Sequence, residues 1–496
     1  MTQGTRGTTR ARVVVVSRDD ADTIADCLDA LREQLVPGVE VFVVDQASSD
    51  CSADVAIRHP AVDRVVPVAA GDLQLVLDAA LVETPAVLLL GADQRPDAGW
   101  LEAALAELDR NGVVHGPDRS LRNLGIDLAR LRVVRLLAGA AELDDVIHRA
   151  ARAGVEAAEA PAMTTSRAAA VGPRLGPLPT TSPAEGPRWC GTVSVILCTR
   201  DRPEQLRRCL VSLGALRDDD HELVVVDNHP TPTVDERLLP AGARLVHEPE
   251  PGLDAARNRG AAEVRGDVVA YIDDDCEADP HWITALRRAF ADDAVGLVTG
   301  RVRPASLERP THRSFESYFG FDRGLVGRRF TPWDDRPWYP LWTGLLGTGC
   351  NMAFRRTVLL DAGGFDERFD MGTRIGGGGD LDVYARLLRA GVVAEYAPDA
   401  LVWHHHRDDQ RALERQFRGY GQASGAYLAK VAVEQPGLRG QAVRCYVDRI
   451  TRRLRVARDI RRGASIVPMR LLVTDLVGHL SGPYLYLRSG RETSGG

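Results

Sequence analysis

Two long segments of this chain repeat each other, and such a repeat limits the fold more than any single motif does. The segment ARVVVVSRDDADTIADCLDAL near the N-terminus resembles VSVILCTRDRPEQLRRCLVSL further along the chain. Chance agreement is improbable, because four landmark pairs keep one offset, and we therefore interpret the chain as an internal duplication. The pairs, each 182 positions apart, are Arg18 and Arg200, Cys27 and Cys209, Asp45 and Asp227, and Trp100 and Trp282.

Each copy alternates apolar runs rich in β-branched residues with amphipathic stretches. This alternation is typical of βα units around a largely parallel sheet, so the predicted fold class is α/β. A chain of 496 residues is also too long for one ordinary core. A stretch rich in proline, glycine, serine and threonine predicts a linker between the copies. The predicted boundaries are 1–160 for the first copy, 161–191 for the linker, 192–430 for the second copy and 431–496 for a C-terminal helical extension.

The two copies differ in their acidic residues and in length. A later match pairs Gly154 with Gly391, at an offset of 237 positions. Because this offset exceeds 182 by 55, the second copy carries about 55 additional residues in its middle. Asp275 corresponds to an acid of the first copy, Asp93, but the other acids of the second copy do not. Asp273 corresponds to Gly91, Asp274 to Ala92 and Asp380 to Leu143. We interpret the first copy as a non-catalytic relative of the second; an independent function for it stays open.

Composition excludes several classes of protein. A net charge of −7 argues against a general nucleic-acid binder, which needs a basic face. Lys430 is the single lysine, so the chain has no P-loop. The eight cysteines form no CxxC pair, which favours reduced thiols over a zinc site. The N-terminus does not resemble a signal peptide, and no run of 18 apolar residues predicts a membrane span. We expect a cytoplasmic protein.

Polar residues follow three predicted strands of the second copy. The strand 193–197 leads to Thr199 and Arg200, the strand 223–226 leads to Asp227, and the strand 268–272 leads to the acidic run 273–275. Because ligands of parallel sheets bind beyond the carboxyl ends of the strands, these groups should share one rim. Carboxylates there can bind a ribose or a hard divalent cation, and arginines can pair with a diphosphate. The metal would neutralise charge on a departing nucleoside diphosphate.

The order and spacing of these motifs resemble the family 2 glycosyltransferases, which adopt the GT-A fold. The resemblance covers about residues 192–430, and together its motifs are highly specific. They read VSVILCTRDRP, VVVDN, GLDAARNRGAAEVRGDVVAYIDDDC, GTGCNMAFRR, GGFDERF, GGGGDLDVYARLLRAG and ALVWHHHR. The resemblance implies tandem GT-A (nucleotide-diphospho-sugar transferase, Rossmann-like) domains. The first would be degenerate and non-catalytic, the second catalytic, with a C-terminal helical tail after them.

The resemblance also implies roles for individual residues. Asp380 would be the general base of a single displacement with inversion. It would take a proton from an acceptor hydroxyl as that oxygen attacks the anomeric carbon. One departure concerns the position before the base, where the family's usual glutamate is Gly379 here. Donor binding is implied for Thr199, Arg200, Arg202, Asp227, Arg257, Asn258, Asp273 and Asp274. Binding of Mg²⁺ or Mn²⁺ is implied for Asp273, Asp275 and His404.

The insert of the second copy concentrates aromatic residues between 315 and 342, although aromatics are 5% of the chain. Two interpretations are open: a platform on which an acceptor sugar stacks, or a lid packed on its own aromatics. The predicted acceptor contacts are Trp338, Trp342 and Asp382. We expect a nucleotide-sugar donor, a carbohydrate, lipid-linked or small-molecule acceptor, and no nucleic-acid partner.

Alternative interpretations remain for the site and for the tail. Asp227 and Asp380 could cap helices, and the chain could bind a nucleotide-sugar as a scaffold without turnover. A nucleotidyltransferase would need a Gly-rich loop and a lysine that are absent here, and a glycosidase needs no DxD motif. The arginine-rich helical pattern at 410–470, followed by apolar residues, fits peripheral contact with the inner face of the plasma membrane. It also fits a helix hairpin packed on the catalytic domain, which is the interpretation we favour from the sequence.

Overall fold

The structure is a computed structural model, and the chain divides into two compact units. Unit 1 comprises Met1–Pro179, Ser306–Phe319 and Asp459–Val467; unit 2 comprises Thr180–Ala305, Gly320–Arg458 and Pro468–Gly496. The described residues are 10–68, 86–108, 113–115, 123–127, 157–160, 163, 165–168, 177–180, 189–218, 220–331, 341–370, 373–463 and 465–492.

Strands and helices are interspersed in both parts of the chain, in agreement with the predicted α/β class. The first part contains β1 Ala11–Ser17, α1 Ile24–Arg32, β2 Val39–Asp45, α2 Ser52–Arg58, β3 Arg64–Pro67, β4 Ala86–Gly91, β5 Gln94–Pro96, α3 Trp100–Leu108, β6 Val113–His115, β7 Asn123–Asp127, β8 Ala157–Glu159 and β9 Thr165–Arg167. The second part begins with β10 Val193–Thr199, α4 Pro203–Leu213, β11 His221–Asp227, β12 Arg244–His247, α5 Leu253–Glu263, β13 Val268–Asp273, β14 Cys276–Ala278, α6 Trp282–Ala289 and β15 Val295–Pro304. It continues with α7 Pro310–Tyr318, β16 Arg328–Phe330, β17 Asn351–Arg355, α8 Arg356–Asp361, α9 Gly379–Arg389, β18 Val393–His404, α10 Gln410–Glu434, α11 Arg439–Arg461 and α12 Met469–Glu492.

The main sheet of unit 2 is mixed, with a parallel half that carries the predicted strand ends. Its strand order is β12-β11-β10-β13-β17-β15-β18-β14, and β16 pairs with β18. The strands β12, β11, β10 and β13 are parallel, whereas β17 runs antiparallel to β13 and β15. Unit 2 is thus a mixed α/β unit with a helical C-terminal region.

The main sheet of unit 1 has the order β3-β2-β1-β4-β7-β6-β8. Its pairings run in the same directions as the corresponding pairings of unit 2: parallel from β3 to β4, then antiparallel at β7. The registers also correspond at the offset read from the sequence. Ala11 lies opposite Val39 and Val193 lies opposite His221, while Arg12 lies opposite Val87 and Ser194 opposite Val269.

Apolar side chains cover both faces of the sheet in unit 2. On β10, Val195 and Leu197 belong to one core, and Ile196 belongs to the core on the opposite face. Successive strand residues point to opposite faces, so a strand covered on both sides reads as a continuous apolar run. The continuous run VSVILC is therefore the sequence signature of this double burial.

The C-terminal helices pack closely because both partners carry glycines at a spacing of four. Gly421 and Gly425 of α10 lie against the backbone of α12 near Asp475 and His479. Gly478 of α12 lies against the carbonyl oxygen of Arg418 on α10. A Cβ at any of these glycines would come closer than 3.0 Å to the other helix. The predicted boundary at 430 falls inside α10.

Among the described residues, no helix has both the length and the hydropathy that crossing a bilayer requires.

The glycine contacts between α10 and α12 predict a specific loss of stability. We expect Gly478→Ala to lower the melting midpoint, because overpacking typically costs about 1–3 kcal/mol. Gly440→Ala on α11 is the control, since no atom lies within 4 Å of a Cβ built there. That substitution should leave the midpoint unchanged or raise it, because alanine is the better helix former. Scanning fluorimetry compares the two variants, and equal midpoints would contradict the close packing.

Candidate active site

Three strand ends meet at one edge of the parallel sheet in unit 2. Thr199, the last residue of β10, lies opposite Asp227, the last residue of β11. On the other side of β10, Cys198 lies opposite Asp273, the last residue of β13. The edge is therefore lined by the polar groups that the sequence placed after these strands.

Asp274 links the ends of β10 and β13. Its carboxylate accepts hydrogen bonds from Thr199 Oγ1 at 2.9 Å and from Arg202 Nη1 at 3.0 Å. Burial raises the pKa of Asp274 to about 6, and the neighbouring Asp275 acts in the same direction. These contacts hold Thr199 and Arg202 against the acidic run. Arg200 is different, because 43% of its side chain is exposed at the same edge.

Asp275 and His404 form the candidate metal centre. His404 Nε2 lies 3.5 Å from Asp275 Oδ1, and both side chains are buried. Burial lowers the pKa of His404 well below its usual range, and His406 beside it acts in the same direction. A neutral imidazole and a carboxylate are suitable ligands for a divalent cation.

Two further side chains adjoin this centre. Cys276 has its sulfur within 4.8 Å of the Asp275 and His404 ligand atoms. Burial raises the pKa of the Cys276 thiol well above its usual range. Arg407 approaches from the loop after β18, with Nη2 3.2 Å from Asp275 Oδ2. Asp275 therefore has cationic neighbours even without a metal.

A chain of contacts joins the acidic run to Asp380. Arg257 Nη2 donates to Asp273 Oδ1 and to the carbonyl oxygen of Gly349, each at 3.2 Å. The amide of Gly349 in turn donates to Asp380 Oδ2 at 3.0 Å. Three contacts, through Arg257 and Gly349, therefore join the first acid of the run to the predicted base.

Asp380 lies in the first turn of α9 and is partly exposed. Its second oxygen accepts the amide of Leu381 at 2.9 Å, so both oxygens are oriented by backbone groups. Desolvation raises the pKa of Asp380, although Arg257 opposes that rise. Gly378, with φ at +106°, makes the left-handed turn that starts this helix. The arrangement orients a carboxylate that can still accept a proton, since each oxygen has a second lone pair.

Other predicted donor residues have their polar groups engaged by loops. The Asp227 carboxylate accepts hydrogen bonds from the amides of Thr233 and Val234 and from Thr233 Oγ1. The Asn258 amide bonds the backbone of Phe365 in both directions and also Glu367. Each side chain therefore closes a loop at the edge of the site. The sequence left open a structural role for Asp227, as a helix cap. In the structure its carboxylate binds the loop at 233–234 and caps no helix.

Two of the three predicted acceptor residues are described, and both have contacts within unit 2. Asp382 is buried in ion pairs with Lys430 at 2.7 Å and Arg386 at 2.7 Å. Trp342 is partly buried and packs against the cluster formed by the C-terminal helices. Trp338 lies outside the described residues. In the aromatic insert, Phe315 and Phe330 are fully buried, so these two rings serve as core.

The three histidines alternate as a strand requires. His404 and His406 contact each other through their Nδ1 atoms at 3.0 Å, whereas His405 contacts Glu277 at 2.6 Å. Sequence reasoning missed Arg407, the next residue along, although it belongs to the same motif. It also missed Asp254, a buried acid one helical turn before Arg257. The spacing of Asp254 and Arg257, three residues apart on a helix, was the available signal.

Comparison with known families bears on this part of the chain. Residues 194–361 match the model of the family described as glycosyl transferase family 2. The matched segment carries the acidic run at 273–275 and is similar to family 2 glycosyltransferases. The match ends before Asp380 and His404, so the roles of those two residues depend on the geometry of the site.

Relatives in sequence carry related names. The chain is 31% identical over 250 residues to a pre-mycofactocin glycosyltransferase of Mycobacterium tuberculosis, covering 49% of this chain and 48% of that protein. It is 28% identical over 258 residues to the succinoglycan biosynthesis protein ExoM of Rhizobium meliloti, covering 48% and 76%. It is 31% identical over 203 residues to a glucosyl-dolichyl phosphate glucuronosyltransferase of Haloferax volcanii, covering 39% and 60%. The chain spans about half the length of the first of these relatives.

Among solved structures, a mannosyltransferase from Pyrobaculum calidifontis in complex with GDP-Man and Mn²⁺ aligns with a TM-score of 0.35. That alignment covers 63% of this chain and 80% of the other, at 19% identity.

Proposed function

We propose that residues 192–430 form a catalytic GT-A domain. It would transfer a sugar from a nucleotide-diphosphate sugar to an acceptor hydroxyl with inversion at the anomeric carbon. The observation that carries the proposal is the contact chain Asp273–Arg257–Gly349–Asp380 beside Asp275 and His404. A cation-binding pair and an oriented carboxylate thus adjoin one rim, within a domain whose matched segment is of glycosyltransferase type.

The residues divide the work in this proposal. Arg200, exposed at the strand ends, would pair with the diphosphate of the donor. Asp380 would accept the proton of the acceptor hydroxyl during attack, a contribution of about 10²–10⁴-fold. Arg257 would keep Asp273 and the Gly349–Asp380 contact in fixed relation.

Asp275 and His404 would hold a divalent metal, Mg²⁺ or Mn²⁺, with Asp273 nearby on the same run. The oxygen and neutral nitrogen donors fit such an ion, and the sulfur of Cys276 lies close to both of them. When bound, the metal would supply charge stabilisation for the leaving diphosphate.

A scaffold that binds a nucleotide-sugar without turnover is the second candidate. Such a protein would have no need of a carboxylate oriented by two backbone amides, which is the arrangement at Asp380. We therefore favour turnover, with an acceptor that is a cell-surface polysaccharide, a glycolipid or a glycosylated metabolite.

We also propose that unit 1 is a degenerate copy of the same fold. The corresponding strand orders and registers support this proposal. So does the tight turn after the first strand, where Asp19 and Asp201 both have positive φ, at +57° and +56°. In unit 2, Cys276 lies opposite His404. The corresponding pair in unit 1 is Gln94 and Arg167, so an arginine stands at the position of the histidine. With Gly91 in place of Asp273 as well, this copy would bind no catalytic metal.

Peripheral contact with the cytoplasmic face of a membrane is proposed for α12. Five apolar side chains of this helix are 47–58% exposed at spacings of four and three, so they share one face: Val473, Val477, Leu480, Tyr484 and Leu487. Exposed Arg470 and Arg488 lie near its two ends. An apolar stripe with basic residues is typical of helices that lie on anionic bilayers.

Donor and metal binding predict a thermal shift. Nucleoside diphosphates with Mn²⁺ should raise the melting midpoint of the full chain, because they bind the folded state. At a ligand concentration of 100 times Kd, the folded state gains about 2.7 kcal/mol. Asp275→Asn should remove the part of the shift that depends on Mn²⁺. Asp293→Asn makes the same chemical change on a side chain that is 94% exposed, and it should behave as wild type. Absence of a shift with every nucleoside diphosphate would refute the donor site.

The assignment of the base predicts separate effects on binding and turnover. Asp380→Asn should retain the donor-dependent thermal shift but lower transfer by about 10²–10⁴-fold. Transfer of the wild type should fall as pH decreases through the raised pKa of Asp380, because the protonated carboxyl cannot act as a base. Acceptor-dependent release of nucleoside diphosphate measures transfer by the variant and the pH dependence of the wild type. Asp361→Asn, at an exposed aspartate, is the control. Full transfer by Asp380→Asn would exclude this residue as the base.

The exposed face of α12 predicts binding to anionic vesicles. Leu480→Glu should weaken cosedimentation with phosphatidylcholine–phosphatidylglycerol vesicles on the order of tenfold, because it removes apolar area and adds repulsion. Val211→Glu is the matched control, since Val211 on α4 is 64% exposed outside the stripe. Equal sedimentation of the two variants, or dimerisation lost only in Leu480→Glu, would contradict membrane contact.

A further inference from the structure

The position before the candidate base has no side chain of its own. Gly379 stands where the family resemblance leads one to expect a glutamate, and its φ is not in the left-handed region. The backbone would therefore admit a side chain there. A Cβ built on Gly379 would come closer than 3.0 Å to the carboxyl group of Asp254. Asp254 thus occupies the space that a side chain at 379 would enter.

Asp254 reaches this space from another element, the first turn of α5. The residue is 3% exposed, and its backbone is held by Asp370, whose two oxygens accept the amides of Asp254 and Ala255 at 2.9 Å. Because Asp370 already caps the helix, the Asp254 side chain is left to make other contacts. Its position beside Gly379 is therefore rigidly defined.

The partner of the Asp254 carboxylate is Arg257. Arg257 Nη1 donates to Asp254 Oδ1 at 3.1 Å, and both side chains are about 5% exposed. A buried guanidinium without a partner is costly, so Asp254 stabilises Arg257 where it contacts Asp273 and Gly349. Burial raises the pKa of Asp254 to about 7, and Asp370 and Asp380 act in the same direction. The Asp254 carboxyl group therefore fills the space beside Gly379 between α5 and α9.

We propose that Asp254 is a positioning residue that supplies, from α5, the carboxyl group missing at position 379. Through Arg257 it orients Asp273 and the Gly349–Asp380 contact, and its side chain touches neither donor nor acceptor. The inference rests on the proposed transferase function. It adds that the acid and the glycine are a compensating pair, so either position can carry the carboxyl group, but only one at a time.

A double-variant cycle tests this exchange. Asp254→Ala should lower transfer about tenfold or more, because Arg257 loses its buried partner. Gly379→Glu should also lower transfer and the melting midpoint, because the new side chain collides with Asp254. The combination Asp254→Ala with Gly379→Glu should recover transfer to at least about tenfold above the product of the single effects. Transfer by the double variant that does not exceed the product of the single effects would overturn the proposal.

Control variants separate the exchange from a general effect on folding. Asp254→Ala with Gly440→Glu adds the same carboxyl group where no atom lies within 4 Å, and it should show no recovery. Asp254→Asn keeps the shape of the side chain, so it should fold like wild type yet lose transfer. Unchanged transfer in Asp254→Asn would overturn the role of the charge. If Asp254→Ala does not fold, a folded double variant supports the exchange and an unfolded one overturns it.

The proposed function and this inference can fail separately. Wild-type protein that shows no thermal shift with UDP or GDP and Mn²⁺ would refute the donor site. The melting midpoints of the four cycle proteins would then still report whether Asp254 and position 379 exchange. Conversely, donor binding and transfer by wild type with strictly additive effects in the cycle would refute the exchange alone.

Discussion

The contacts of the buried Arg257 guanidinium join the elements of the candidate site in unit 2. The guanidinium lies between Asp254 on its own helix and Asp273 at the end of a strand, and it also bonds the carbonyl of Gly349. A buried cation needs partners for each of its donors, so these groups are fixed relative to one another. Through the Gly349 amide the same constraint reaches Asp380. A helix, a strand, a loop and a second helix are therefore positioned by one side chain.

Comparing the two units distinguishes the residues that form the sheet from those that line the candidate site. Seven strands follow a corresponding order and direction in the two main sheets, and the first strand of each unit is a buried apolar run. Burial of β-branched side chains on both faces is sufficient for such a sheet. Acids at the strand ends are not required for folding, because β4 ends in Gly91 where β13 ends in Asp273.

Sequence reasoning predicted the strands around the site well, because continuous apolar runs bounded by polar residues are strong signals. The ends of β10, β11 and β13 lie within two residues of those predicted. The contacts of individual side chains were harder to predict. Asn258 and Asp382 have the chemistry of ligand-binding residues, yet their side chains bond a loop and a lysine. A one-dimensional pattern shows which groups are polar but does not show which of them already have partners.

The sequence by itself determined the alternation of strands and helices, the repeat at 182 positions and the acidic run at the end of a buried strand. These features are local or periodic, so no tertiary contact is needed to recognise them. The tertiary structure alone decided that Asp275 meets His404 and that Arg257 joins Asp273 to the Asp380 turn. It also decided that the carboxyl group of Asp254 occupies the space beside Gly379. Those contacts join residues far apart in the chain, and only the packing of α5 and α9 against the sheet brings them within bonding distance.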